Sequence, residues 1–276
     1  MDGSRSQKPN LEVRLVAFAV ILILVVAFVA LYIFPENTDQ NFAWTIKPST
    51  TAILIGLGYL AGALFFVRVL TTSKWQRVQL GFLPITAFTV FMIIATFLHW
   101  GRFHQGTFVF IVWTAVYIIT PVLVPLLWWR NRRNDPHTPD ERDWLFPRWM
   151  SLAATIIGAL GLLACLAAFI WPALIISISP WTLTELTGRV MAGWFGLAFG
   201  TIFMMGRDGR WSAVRFLIQS FIFGQALALV ALPRIWSDLN PALPMRYVFV
   251  AGLVAAPVGL LAFYLLVELR LVKKTG

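Results

Sequence analysis

Residues 15–34 read LVAFAVILILVVAFVALYIF, twenty consecutive residues without a charge. Wound as a helix, this run spans the roughly 30 Å hydrocarbon core of a bilayer. Working outward from it, the first apolar segment covers about 13–34, and seven more follow at about 50–70, 79–99, 107–129, 149–171, 187–206, 212–232 and 245–267. Backbone amides in lipid must bond within a helix or a closed barrel. Long continuous runs, rather than short alternating ones, select helices. Composition agrees: 59% of the chain is hydrophobic and 12% charged, whereas soluble domains carry about a quarter charged residues. Mean hydropathy is +0.78. The expected fold is all-α and polytopic, with eight transmembrane helices.

The first run is too long for the h-region of a signal peptide and has no clean small-x-small site after it, so it is expected to be retained. The single cysteine, Cys165, lies in an apolar run and permits no intramolecular disulfide. The 13 tryptophans suit a protein whose amphipathic rings line membrane interfaces.

A net charge of +10 suggests nucleic acid in a soluble protein; here loop topology explains it, and no nucleic-acid partner is expected. Alternate loops sort the basic residues. With the N-terminus, the second, fourth and sixth loops and the C-terminus on one side, 17 of the 22 Lys and Arg fall there. The other side holds Lys47, Arg102, Arg189, Arg234 and Arg246. That bias places both termini in the cytoplasm.

The chain also repeats itself. At an offset of 137, Pro35 falls on Pro172, Trp44 on Trp181, Thr45 on Thr182, Thr50 on Thr187, Gly56 on Gly193 and Phe66 on Phe203. After one deletion the register resumes at 136: Trp75 on Trp211, Val78 on Val214, Trp100 on Trp236, Pro121 on Pro257. Matched Pro, Trp and Gly are harder to obtain by chance than matched Leu. The spans are expected as two parallel four-helix repeats, 1–134 and 149–276. Residues 135–148 form a cytoplasmic linker, part of the mixed-charge stretch RNRRNDPHTPDERDWLFPR at 130–148. Its acids Asp135, Asp140, Glu141 and Asp143 read as a solvated, salt-bridged loop.

Two repeated signatures form a candidate outer vestibule. Trp44, Thr45 and Thr50 precede the second span, and Trp181, Thr182 and Thr187 precede the sixth. The plain reading makes the Trp interface anchors and Thr45 or Thr182 helix caps. The functional reading offers helix N-termini to an anionic head group. A second cluster, His99, Arg102 and His104, is answered in the other copy by Arg234 and Asp238; Arg189 joins the candidate binding set. His99 and His104 are five apart and share no helix face, so metal and haem ligation are not expected, nor any other cofactor.

The spans lack midplane charge; their polar groups are residues such as Thr89, Thr155, Gln219 and Gln225. That disfavours proton coupling, which needs ionisable groups inside the bundle. Pro121 and Pro257 imply packing kinks or a broken helix beside a cavity. Gly56, Gly58, Gly62, Gly193, Gly196 and Gly200 allow close helix approach, within the chain or in a dimer. No phosphate-binding loop, CxxC, HExxH or GxSxG occurs.

FAWTIKPSTTAILIGLGYLAGALFFVRVL at 42–70 and LHWGRFH at 98–104 resemble a functionally uncharacterised family of bacterial multi-pass membrane proteins. The resemblance implies a bacterial inner-membrane protein and supplies no activity or site residues. The first expectation for function is a non-enzymatic accessory or scaffold subunit, with membrane lipids and other membrane subunits, or itself, as partners. The alternative is a transporter or flippase-like carrier of a hydrophobic or lipid-like molecule. A lipid-acting enzyme at the outer face, using His99, Arg102 and His104, ranks last.

Overall fold

The computed structural model describes residues 7–141 and 143–273. Arg5, Arg142 and Lys274, which entered the charge sorting, lie outside the described residues. Among the described residues, eight helices are long and apolar enough to cross a membrane, one for each expected segment. They are α1 (Leu11–Phe28, running on into π-helical turns at Val29–Ile33), α2 (Ser49–Thr71), α3 (Phe82–Leu98) and α4 (Phe108–Asn131). After the central segment come α5 (Arg148–Ile170), α6 (Glu185–Asp208), α7 (Trp211–Ile235) and α8 (Met245–Lys273). Large apolar side chains stand open along their outer faces, such as Leu15, Leu160 and Val258, each more than 60% exposed. Water would penalise that surface, and a bilayer does not.

Packing follows two rows, α1–α2–α7–α8 and α4–α3–α6–α5. Residues 1–134 and 149–276 therefore interlock, each supplying two helices to each row. The closest approach is α5 on α6. A Cβ added at Gly158 would lie 2.4 Å from the Phe203 backbone nitrogen, and one at Gly206 would lie 2.5 Å from that of Thr155. The six glycines singled out from sequence face neighbours within the chain: Gly56 meets α1, Gly58 meets the Trp194 ring, and Gly193 and Gly196 meet α3. With no lipid tail gaining from exclusion, such close backbone contact holds membrane helices together. Helices α4 and α8 run unbroken through Pro121, Pro125 and Pro257.

At the end of the bundle shared by the chain's central segment (the linker end), Asp135, Asp140 and Asp143 are docked on the bundle, while residues 136–139 and Glu141 are exposed. Asp135 is 3% exposed and Arg210 6%. Arg210 donates to both Asp135 oxygens at 2.9 and 2.7 Å, and also to Asp208. Gln79 donates a short bond to the same Asp135. Asp140 accepts from Lys74, Gln76 and Arg77, and Asp143 accepts from the amide and hydroxyl of Ser212 at the start of α7. The expected loop is salt-bridged as read and Glu141 is exposed, but the solvated part of the expectation is corrected for Asp135, Asp140 and Asp143, which are spent on helix ends and on basic residues from both halves. Burial alone opposes ionisation of Asp135, but the Arg210 hydrogen bonds outweigh it and hold the carboxyl below its ordinary value.

Candidate functional site

The opposite (far) end carries the repeated signatures. Neither Thr45 nor Thr182 caps a helix. The cap of α6 is Thr184, which exchanges hydrogen bonds with Thr187 in a capping box. Helix α2 starts after Pro48, and its open amide end is met by a carboxylate from α7's far end: Asp238 accepts from the Thr50 amide at 3.1 Å and hydroxyl at 2.6 Å. A negative charge there satisfies orphan donors and complements the helix dipole. Thr45 is exposed, and its hydroxyl lies 3.0 Å from His104 Nε2. The other ring nitrogen of His104 faces the Phe42 carbonyl, which can only accept, so His104 donates from Nδ1 and accepts from Thr45 at Nε2. Thr182 is exposed.

Trp44 and Trp181, expected as interface anchors, are 2% and 6% exposed. Trp44 packs among Phe42, Phe103 and Trp113. Trp181 donates its indole proton to the Thr51 hydroxyl at 2.8 Å, joining the two halves. Aromatic bulk is worth more buried in this cluster than at the surface.

Arg189 reaches back from α6 to the end of α3. Its Nη1 lies 2.7 Å from His99 Nε2 and its Nε donates to the Phe169 carbonyl. A guanidinium only donates, so His99 accepts and carries its proton on Nδ1. Partial burial first, then Arg189 and Arg102, hold the His99 imidazole below its ordinary value, against the opposite pull of Glu185. Arg102 is exposed. Arg234 lies over the Tyr32 ring at 4.6 Å. The far-end residues are thus distributed among the pairs Thr45–His104, Thr50–Asp238, His99–Arg189 and Arg234–Tyr32.

The bundle interior holds a different feature. A partly open chamber of about 390 Å³ lies among α2, α3, α4, α6 and α7, with α1 and α8 at its margins. Of the residues singled out at the far end, only Trp181 lines it. Its wall is almost wholly apolar, and no Asp, Glu, Lys, Arg or His belongs to it. Rim residues Ile23 and Phe195 are exposed. The lining hydroxyls of Thr89, Thr120, Thr201 and Ser220 each donate to a carbonyl of their own helix. What remains polar is Gln225, the Trp194 indole N–H, buried and without a partner, and a tyrosine pair. Tyr59 and Tyr117 bond hydroxyl to hydroxyl at 3.2 Å, and both are at most 5% exposed. Trp194 stands edge-on to Tyr59 at 5.2 Å, and Phe88 tilts on Trp194 at 4.6 Å.

Sequence reasoning missed this aromatic group. The available signal was that two of only five tyrosines fall near the middle of apolar spans, where a phenol needs a partner. Among the described residues, no three of His, Cys, Asp or Glu are grouped as a metal would require. Comparison with family models, curated proteins and solved structures finds no match for the chain.

Proposed function

We propose that this chain is an integral membrane protein that takes an apolar, lipid-like molecule into its central chamber and acts as a carrier for it. The chamber carries this reading. Native interiors hold few voids larger than a water molecule. A chamber of about 390 Å³ with an exposed apolar rim is far larger than such voids and admits a hydrocarbon from the bilayer. An uncharged apolar wall suits a hydrocarbon occupant.

The same reading takes the eight helices as two copies of one four-helix unit. The packing rows exchange into each other when every helix is advanced by four. Backbone bonds recur at the sequence offsets: His104 to Ala43 and Asn240 to Pro180, Trp75 to Gln7 and Trp211 to Trp144. Units of four spans share one orientation and meet about an axis along the membrane normal, as in carriers built of parallel repeats. The bias of basic residues favours a cytoplasmic linker end in a bacterial inner membrane. No separate feature favours an accessory subunit, because the exposed apolar faces suit lipid equally. The outer-face enzyme reading is weakened by His99, whose Nε2 is engaged by Arg189.

The test is native mass spectrometry of the protein released from its own membrane, beside Ala198→Phe, which fills the chamber from its wall. One tightly held apolar species per chain is expected, and its loss in the variant. Identical, loosely held lipid on both proteins would sink the carrier reading.

A further inference from the structure

The chamber's polar inventory restricts what fits. In the Tyr59–Tyr117 pair one hydroxyl donates and the other accepts. Whichever way it runs, the accepting phenol keeps its own proton, and among the described residues that proton makes no hydrogen bond to a second acceptor. The Trp194 indole proton beside it is likewise unspent. A phenol or indole proton buried without an acceptor is costly. Both groups lie at the wall of one chamber, near the middle of α2 and α4 for the tyrosines. Donors left over at that depth call for an acceptor from the occupant. They do not call for an anion, since no cation lines the wall to compensate a buried charge.

The geometry points to a neutral, largely apolar ligand bearing a carbonyl or ether oxygen, held by the spare proton of the Tyr59–Tyr117 pair. The inference rests on the chamber being a ligand site, as proposed above. The ester carbonyls of an ordinary bilayer lipid sit near the head groups, roughly 15 Å from the midplane. A molecule whose oxygen lies within its apolar body, such as a long-chain ketone or an alkyl quinone, places its acceptor at the right depth. Aromatic faces of Phe88, Trp194 and the two tyrosines would flank it.

The experiment uses three photoreactive probes carrying the same diazirine, offered to the full chain in nanodiscs: a mid-chain C13 ketone, the matched hydrocarbon, and a diacyl phospholipid. Labelled peptides are mapped in the wild type and in Tyr59→Phe/Tyr117→Phe, which removes both hydroxyls together and leaves neither unpaired. The ketone is expected to label chamber peptides about fivefold more than the hydrocarbon, the factor one net hydrogen bond supplies, and the double variant should erase that excess. Equal labelling of the wild-type chamber by ketone and hydrocarbon overturns the acceptor inference and leaves the chamber reading standing. Phospholipid labelling as strong as the ketone's overturns it in favour of ordinary lipid. If no probe labels the chamber, the inference and the carrier reading fall together. The wild-type comparison stands even if the double variant fails to fold.

Discussion

Asp135 and Arg210 face each other fork to fork, with nitrogen–oxygen distances of 2.9 and 2.7 Å. This pair ties the segment that joins the two halves to the start of α7, where Arg210 directly precedes the helix. It is nearly sealed from solvent, so neither partner can be removed cheaply.

Asp135→Ala leaves Arg210 with Asp208 as its one carboxylate, beside the Thr138 carbonyl, and leaves the Gln79 amide without its acceptor. The expected loss is about 3 kcal/mol, the lower range for breaking a buried pair. Lys74→Ala, which removes a partly exposed partner of Asp140, is expected to cost about 1 kcal/mol or less. Thermal unfolding of the two variants in one detergent compares them.

The same pair sets an acid limit. The folded Asp135 carboxyl is held below its ordinary value, so its stabilising contribution is complete above the usual aspartate range. It is lost as pH falls through the folded value. Stability measured from pH 6 downward is expected to hold until below about pH 4, then fall more steeply in the wild type than in Asp135→Asn. Parallel curves would show that the pair does not govern acid unfolding.

His99 acts in the same direction at higher pH. Its folded value lies below the ordinary imidazole value, so the neutral ring that accepts from Arg189 is fully present above about pH 6.5. Charging it at lower pH sets a cation against Arg189. Between pH 7.5 and 5 the wild type is expected to lose more thermal stability than His99→Gln. A shift of the same size in both would remove His99 from the explanation.

Trp181 and Thr51 offer a clean coupling. Trp181→Phe and Thr51→Val each break one buried hydrogen bond, and the double variant is expected to cost about 1 kcal/mol less than the sum. Trp44, whose indole nitrogen is buried without a partner, should show no such coupling. Its position differs because Gly188, not a threonine, stands at the offset of 137 from Thr51.

Glycines in α5 and α8 should separate by contact. Gly158→Ala places a methyl against the Phe203 backbone and forces α5 off α6, at a cost of about 1–3 kcal/mol. Gly252→Ala meets nothing within 4 Å and gains helix propensity, so it should be neutral or slightly stabilising. Equal effects would mean that the α5–α6 contact is looser than its geometry.

The sequence by itself determined the eight helices, because length and apolarity are local properties and lipid leaves a backbone no other way to satisfy itself. Residues 15–34 suffice for α1, and the six flagged glycines do mark close contacts. It also picked the far-end polar residues, since charges at span ends are conspicuous. What it could not supply was pairing between residues far apart in sequence. Asp135 meets Arg210 across 75 positions and Thr50 meets Asp238 across 188, and one residue type at a span end looks like another until the helices are packed. The halves interlock because each row mixes their helices, which no linear pattern records. The chamber is likewise a property of the gap left between α2, α3, α4, α6 and α7. Tyr59 and Tyr117 stand out only as phenols at mid-span and Trp194 not at all, and only packing brings the three to one space.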